Sequence, residues 1–325
     1  EMYVKNKMYL TEIVDQLDKY KIEDAGINSK ESDYGSYFFN QKMYFVTSRK
    51  PTKIKSNIDK WTNQNYSNLM SVQFDPNSNL RPVYIDEETD EINTKYHESS
   101  LVFTKDGETV YFTRNNFNNG KIGYDKDKTV LLKIYKATLK NKKWSKITEL
   151  PFNSNEYNVA HPALSSDGKF LYFSSDMPDG YGSSDLYRVT INDDGTFGKP
   201  ENLGPKVNTK SRETFPYLTD EDVLFFASDG HLGIGGLDIF KSKKDESGNY
   251  NEFENLGRPI NSEKDDFGFS KSPFENVSFF TSNRDGGNGF DDIYKLIEIP
   301  KPETFKSDFV VLDALNLAPI ANSKV

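Results

Sequence analysis

Residues 161–175 read HPALSSDGKFLYFSS, and this phrase decides the fold. It holds a short strand, an Asp167-Gly168 turn and a second strand rich in Leu, Tyr and Phe. The Asp-Gly pair supplies the positive φ that a tight hairpin requires. Working outward, residues 100–113 (SLVFTKDGETVYFT) and 215–228 (FPYLTDEDVLFFAS) repeat the phrase, and 34–48 and 267–282 are looser copies. Self-similarity of this kind sets the whole architecture, because each copy is a unit that cannot bury its apolar face alone.

A glycine-bearing loop and a third strand follow the hairpin, as SDMPDGYGSSDLYRVTI (175–191), SDGHLGIGGLDIFKSKK (228–244) and SNRDGGNGFDDIYKLIE (282–298). Asp185, Asp238 and Asp292 stand immediately before Leu-Tyr, Ile-Phe and Ile-Tyr. An aspartate there is placed to accept hydrogen bonds from backbone N–H groups of the loop before it, a structural role. A fourth strand and linker recur as FGKPENLGPKVNTKSRE (197–213) and YNEFENLGRPINSEKDD (250–266). Four antiparallel strands joined by short loops make one propeller blade.

Blades begin near 34, 97, 161, 214 and 267, which predicts an all-β, five-bladed β-propeller of four-stranded antiparallel blades over 19–300. The last copy supplies three strands before Pro300, while residues 19–33 (KYKIEDAGINSKESD) match the fourth-strand phrase. The N-terminal strand is therefore expected to complete the last blade and close the ring, pairing edges that would otherwise stay exposed. Spacing in the first two blades leaves insertions near 50–68 and 115–130, rich in Asn and Lys. Residues 1–18 place Met8, Ile13 and Leu17 at helical spacing, the expected end of an upstream helical domain. Residues 301–325 read as a linker and the first strands of a downstream β-sandwich. With Glu1 at the start and no polar tail, the chain reads as an internal piece of a longer polypeptide.

Composition narrows the function. The 325 residues include 24 Phe, 19 Tyr and 2 Trp, enough to build a core rather than a disordered chain. Forty-one basic against 50 acidic residues give −9 with no basic run, so nucleic acid is not an expected partner. The absence of cysteine removes disulfides, a thiol nucleophile and cysteine zinc sites. No apolar run reaches the roughly 18–20 residues that span a bilayer, so no direct membrane insertion is expected.

Candidate chemistry concentrates where first strands begin. His97 and His161 with Glu98 offer a zinc-like donor set, although a satisfied polar residue at a strand end is the commoner outcome; His231 sits in a glycine loop. Asp33, Glu98, Glu213, Asp265 and Asp266 gather at the same openings, and some five-bladed glycoside hydrolases use inner-strand acids as acid and base or nucleophile. Their spacing follows the repeat, as a shared structural turn would. Asp125 and Asp127 resemble the opening of a calcium loop whose glycine and closing glutamate are missing. Gly233, Gly235 and Gly236 lack the Lys-Ser/Thr of a phosphate loop, and no G-x-S-x-G occurs. No cofactor and no metal site is expected. The expected contact surfaces are the two insertions and a channel mouth lined by Tyr34, Ser100, His161, Phe215 and Phe267.

The repeats S-x-D-G-x-x-L-Y-F-S-S and D-L/I-Y/F resemble the TolB-type, WD-like propeller repeat over about 34–298. With Gly26-Ile27-Asn28-Ser29-Lys30, Phe112-Thr113-Arg114-Asn115-Asn116, Val311-Leu312-Asp313-Ala314 and Pro319-Ile320-Ala321-Asn322, the set is similar to the PorE-like group of Bacteroidota OmpA-family envelope proteins. That group runs tetratricopeptide repeats, propeller, a carboxypeptidase-regulatory-like sandwich and an OmpA-like domain. The resemblance implies a non-enzymatic periplasmic scaffold beside outer-membrane proteins of the type IX secretion or gliding apparatus. Peptidoglycan would be met only through a C-terminal domain beyond this sequence. The resemblance supplies no catalytic residue, and the alternative remains a propeller glycoside hydrolase using channel carboxylates.

Overall fold

The computed structural model describes residues 19–52, 54, 57–75, 77, 80–87, 92–300, 310 and 312–319. The helix expected over residues 2–18, and the linker from 301, lie outside them. The polypeptide begins its ring with β1 (Tyr20–Asp24), which belongs to the last blade. Blade 1 comprises β2 (Asp33–Phe39), β3 (Lys42–Thr47), β4 (Asn68–Asp75) and β5 (Arg81–Glu87). Blade 2 comprises β6 (Glu98–Phe103), β7 (Thr109–Asn115), β10 (Leu132–Lys140) and β11 (Lys143–Glu149). A small hairpin of β8 (Phe117–Asn118) and β9 (Lys121–Ile122) is inserted in it. Blade 3 comprises β12 (Val159–Leu164), β13 (Phe170–Ser175), β14 (Asp185–Thr190) and β15 (Glu201–Asn202). Blade 4 comprises β16 (Glu213–Leu218), β17 (Leu224–Ser228), β18 (Asp238–Lys244) and β19 (Tyr250–Asn255). Blade 5 comprises β20 (Asp266–Lys271), β21 (Val277–Ser282), β22 (Asp292–Glu298) and β1. The protein is a five-bladed β-propeller.

Closure is antiparallel and in register, from Tyr20 opposite Glu298 to Asp24 opposite Tyr294. It gives β22 a partner on both edges. Strands alternate apolar residues between the two faces of each sheet, so every blade presents hydrophobic side chains to both neighbours. The result is one core between each pair of adjacent blades. Blades 5 and 1 share Ile27, Met43, Phe45, Val72, Phe279 and Ile293. Phe45 and Phe279 are fully buried there, each contributing roughly 2–3 kcal/mol of transfer free energy.

One device recurs in all five blades. The linker after the fourth strand carries a buried apolar residue, an asparagine and then Ser or Thr, at Ile27-Asn28-Ser29, Ile92-Asn93-Thr94, Phe152-Asn153-Ser154, Val207-Asn208-Thr209 and Ile260-Asn261-Ser262. Each asparagine side chain makes two bonds to one third-strand residue: Oδ1 accepts its N–H and Nδ2 donates to its carbonyl. The pairs are Asn28 with Ile293, Asn93 with Leu69, Asn153 with Ile134, Asn208 with Leu186 and Asn261 with Ile239, all between 2.7 and 3.1 Å. A carboxamide has the donor and acceptor of a peptide group, so it prolongs the pairing of the third strand where the fourth strand has turned away.

Beyond the ring, described residues 312–319 form a turn in which Leu312 bridges Pro319 and Asp313 accepts the N–H of Leu315 and Asn316.

Asn261→Ala leaves the buried N–H of Ile239 unpaired and removes one of the two donors to its carbonyl, which keeps the Leu256 N–H at 3.1 Å. The expected loss is about 2–3 kcal/mol, read by urea denaturation, whereas Asn251→Ala on the exposed surface should change stability by less than about 0.5 kcal/mol.

Candidate functional site

The first strands of the five blades line the axis, and each carries a bulge. Register shifts fall between Tyr34 and Tyr37, Ser99 and Leu101, Ala160 and Ala163, Thr214 and Tyr217, and Phe267 and Ser270. A bulge turns one residue out of the pleat. Aligned by pairing, the turned residues are Gly35, Ser100, His161, Phe215 and Gly268. Four of these have positive φ: +66° at Gly35, +57° at His161, +48° at Phe215 and +62° at Gly268. Glycine takes this conformation freely, whereas a bulky side chain there is held by its surroundings at a cost of order 1–3 kcal/mol.

The five residues expected to line a channel mouth contact one another in two layers, but only Ser100, His161 and Phe215 border the open cavity, and Tyr34 and Phe267 do not. The repeat alignment treats them as equivalent, but Tyr34 and Phe267 precede the turned position by one residue. The glycines that follow them free the space the other blades fill with larger side chains. Phe215 packs 4.8 Å from Phe267 and 6.4 Å from Tyr34, with His161 stacked on it at 3.8 Å. Ser100 Oγ lies 2.8 Å from His161 Nδ1. Burial lowers the His161 pKa to about 3, so the ring is neutral and shares one hydrogen bond with the serine hydroxyl through Nδ1. The backbones of Gly35 and Gly268 meet beside this cluster, where a Cβ on Gly268 would stand 3.4 Å from Gly35 Cα.

On one side of the cluster the first strands diverge into a funnel of about 690 Å³, opening between the hairpin turns of the five blades. Ser36, Ser100, His161 and Phe215 line it, as do Tyr37 and Tyr217. Ser36 and Ser270 hydroxyls are bonded at 2.7 Å across the blade 1–blade 5 seam.

On the other side, where first strands begin, the acids are occupied. Asp33, Glu98, Glu213 and Asp266 are fully buried. Each accepts the backbone N–H and the hydroxyl of the residue four positions earlier: Ser29 (2.6 and 2.7 Å), Thr94 (3.0 and 2.7 Å), Thr209 (2.8 and 2.7 Å) and Ser262 (2.6 and 2.9 Å). Asp33 also holds Arg49 at 3.0 Å, and Asp266 holds Arg284 at 2.7 Å. Burial raises Glu98 to about 7 against the pull of its hydrogen bonds. Asp265 accepts the N–H of Leu237 at 2.8 Å. Blade 3 has Val159 at this position, after a linker one residue longer.

The histidines do not converge. His97 Nδ1 accepts from Ser67 N–H at 3.1 Å, and His231 Nε2 lies 2.7 Å from the Val207 carbonyl. Among the described residues no group of three or more His, Asp or Glu is arranged to hold a metal ion.

The loop aspartates sit at the starts of third strands. Asp185 accepts from Tyr181 N–H (2.6 Å) and Gly182 N–H (3.0 Å), Asp292 from Asn288 N–H (2.6 Å) and Gly289 N–H (3.1 Å), and Asp238 from Ile234 N–H. Burial pushes Asp238 up to about 7. A Cβ on Gly233 would collide with the Asp238 carboxylate, which is why the loop needs glycine there. Blades 1 and 2 carry Asn68 and Lys133 at the equivalent position. The pinning aspartate is thus missing in the two blades whose loop is long. The sequence reading did not single out the linker asparagines, although apolar-Asn-Ser/Thr recurs five times and is visible in the quoted linkers.

No family model and no curated protein matches the chain. Among solved structures, the endo-arabinase from Bacteroides thetaiotaomicron is 10% identical over 87% of this chain and 98% of its own, with a TM-score of 0.51. TolB from Acinetobacter baumannii is 12% identical over 90% of this chain and 66% of its own, with a TM-score of 0.42. A puromycin-hydrolysing peptidase from Mycobacterium tuberculosis is 12% identical over 76% of this chain at a TM-score of 0.42, and the chain spans about a third (33%) of that protein's length. At such identities the likeness to the arabinase is one of fold alone.

Two outcomes test the axis. Gly268→Ala forces a Cβ into a left-handed residue against Gly35 and should cost about 1–2 kcal/mol by denaturant titration. His161 binds its proton more readily unfolded than folded, so between pH 6.5 and about 3 its burial removes stability as pH falls. His161→Asn keeps a side chain tolerant of positive φ. Its stability should fall less steeply between pH 6 and 4 than that of the unaltered protein, by about 1 kcal/mol per pH unit.

Proposed function

We propose that the ring is a non-enzymatic interaction module, a rigid disc whose loops and channel mouth meet a protein partner. The observation that carries this reading is the fate of the strand-opening acids. Asp33, Glu98, Glu213 and Asp266 are each folded back onto the linker that precedes them. A glycosidase needs two carboxyl groups about 5–10 Å apart, free to address a sugar between them. Carboxylates committed to backbone N–H groups serve the fold instead. A disc held by four such linkers loses little conformational entropy on binding, which favours recognition.

We further propose that the module belongs to a longer envelope protein of the TolB-type, PorE-like kind, periplasmic and near the outer membrane. Its partners would come from the secretion or gliding machinery. Residues 1–18 would end a helical domain and 301–325 would begin a carboxypeptidase-regulatory-like one. The support is the set of sequence phrases around Gly26–Lys30, Phe112–Asn116 and Val311–Ala314.

Recovery of partners from envelope extract by the immobilised chain tests the module, and a reproducible protein partner is expected. Incubation with arabinan and related glycans tests the alternative. No reducing ends should appear, and Asp33→Asn should lower stability by about 2 kcal/mol through its lost charge-assisted bonds. Sugar release by the unaltered chain that Asp33→Asn or Glu213→Gln abolishes while the fold persists would replace the module by an enzyme.

A further inference from the structure

The long loops of blades 1 and 2 lie next to one another on the face where first strands begin, and aromatic contacts weld them together. Within the first, Ile58 bridges Asn65, and the Asp59 N–H donates to the Gln64 carbonyl at 2.8 Å. The Tyr66 ring sits 4.4 Å from His97 and 6.2 Å from Tyr96, in the linker between the blades. Tyr96 in turn packs at a tilt, 4.7 Å from Phe117, which opens the β8–β9 hairpin of the second loop. The two insertions therefore form one lobe, held by this chain of rings where the other blades use a loop aspartate.

The lobe differs in charge from the rest of the molecule. Lys50, Lys60, Lys95, Lys121, Lys126 and Lys128 are exposed on it. They outnumber the acids of the two loops, Asp59, Asp125 and Asp127, and none of the six forms an ion pair among the described residues. Two of the acids interspersed with these lysines are engaged in local turns: Asp59 accepts Trp61 N–H at 3.1 Å, and Asp125 accepts Asp127 N–H and Thr129 N–H at 2.9 and 2.7 Å. The chain as a whole carries −9. Apolar anchors stand among the lysines, with Trp61 95% exposed, Ile58 53% and Tyr124 48%.

We propose that this lobe docks an acidic segment of a partner protein, a stretch of Asp and Glu carrying an aromatic or aliphatic side chain; this rests on the interaction-module reading. An acidic peptide is repelled by the body of the disc and attracted to the lobe, which fixes where it lands and speeds its arrival. Trp61 and Tyr124 supply the buried contacts that dominate interface energies, and the lysines supply orientation. Phosphate polymers favour a denser cationic face than lysines interspersed with Asp59, Asp125 and Asp127.

The chain reports on its own occupancy, because its two tryptophans are Trp61 and the buried Trp144. The 325-residue chain is titrated with a synthetic Glu/Asp-rich peptide bearing one central phenylalanine, with a Gln/Asn version of the same peptide as control. Expected are a blue shift of Trp61 emission, affinity that falls with added salt, and at least about a tenfold loss in the Lys60→Glu/Lys126→Glu/Lys128→Glu variant. These surface changes should leave the melting temperature in place. Equal binding of both peptides, or undiminished binding by the charge-reversed variant, would overturn the proposal. So would binding to phosphatidylglycerol vesicles or polyphosphate without binding to the acidic peptide. If the charge-reversed variant still recovers the same partner from envelope extract, the lobe assignment falls and the module reading stands; if even the unaltered chain recovers none, the module reading falls.

Discussion

The ring depends on how each blade hands the chain to the next. The fourth strand stops short of the end of the third, so that a third-strand N–H must find its acceptor elsewhere just as the chain crosses to the neighbouring blade, while the carbonyls of Ile293, Ile134, Leu186 and Ile239 still accept one backbone N–H each. A linker asparagine fills that gap in every blade, and the apolar residue before it plugs the space between sheets. Asn28 does this for Ile293 across 265 residues of sequence, while Asn93, Asn153, Asn208 and Asn261 do it within their own repeats. Closure is therefore the ordinary blade junction formed by residues from opposite ends of the ring. Buried peptide groups tolerate no other arrangement, because each left unpaired costs as much as the bond contributes or more.

From the same junction comes the destination of the acids. Once the asparagine is fixed, the Ser or Thr after it presents its N–H and hydroxyl to the carboxylate opening the next first strand. Four of five linkers are tightened this way, and two gain an arginine on the same carboxylate. The side of the disc that carries most acidic residues along the axis is thus structurally committed. The opposite side opens as the funnel, floored by a neutral His161 and a serine. In this way one molecule has a closed axis, a cavity on one face and long loops on the other.

Where the loops are short, glycine and aspartate pin them: Asp185, Asp238 and Asp292 gather the N–H groups of their own loops. Where the loops are long, Asn68 and Lys133 replace that aspartate and rings from Tyr66 to Phe117 take over the packing. A pinned loop has no length to spare for a binding surface. An unpinned one has, and there the exposed lysines outnumber the acids.

The sequence by itself determined the number of blades, their strand order, the closing strand and the two insertions. These rest on local rules, namely alternation of apolar residues, Asp-Gly turns and phrase repetition, each legible within some fifteen residues. It also put Ser100, His161 and Phe215 on the first strands that border the cavity, whereas Tyr34 and Phe267, expected beside them, are off its lining. What only the tertiary structure decided was the one-residue offset of Tyr34 and Phe267, the stacking of His161 on Phe215 and its bond with Ser100. The same holds for the carboxamide pairing and the adjacency of the two loops. A bulge shifts register without changing the pattern of residue types, and a hydrogen bond reaching tens or hundreds of residues away leaves no periodic trace. Such partners are chosen by the packing of blades against one another, so they exist only once the ring has closed.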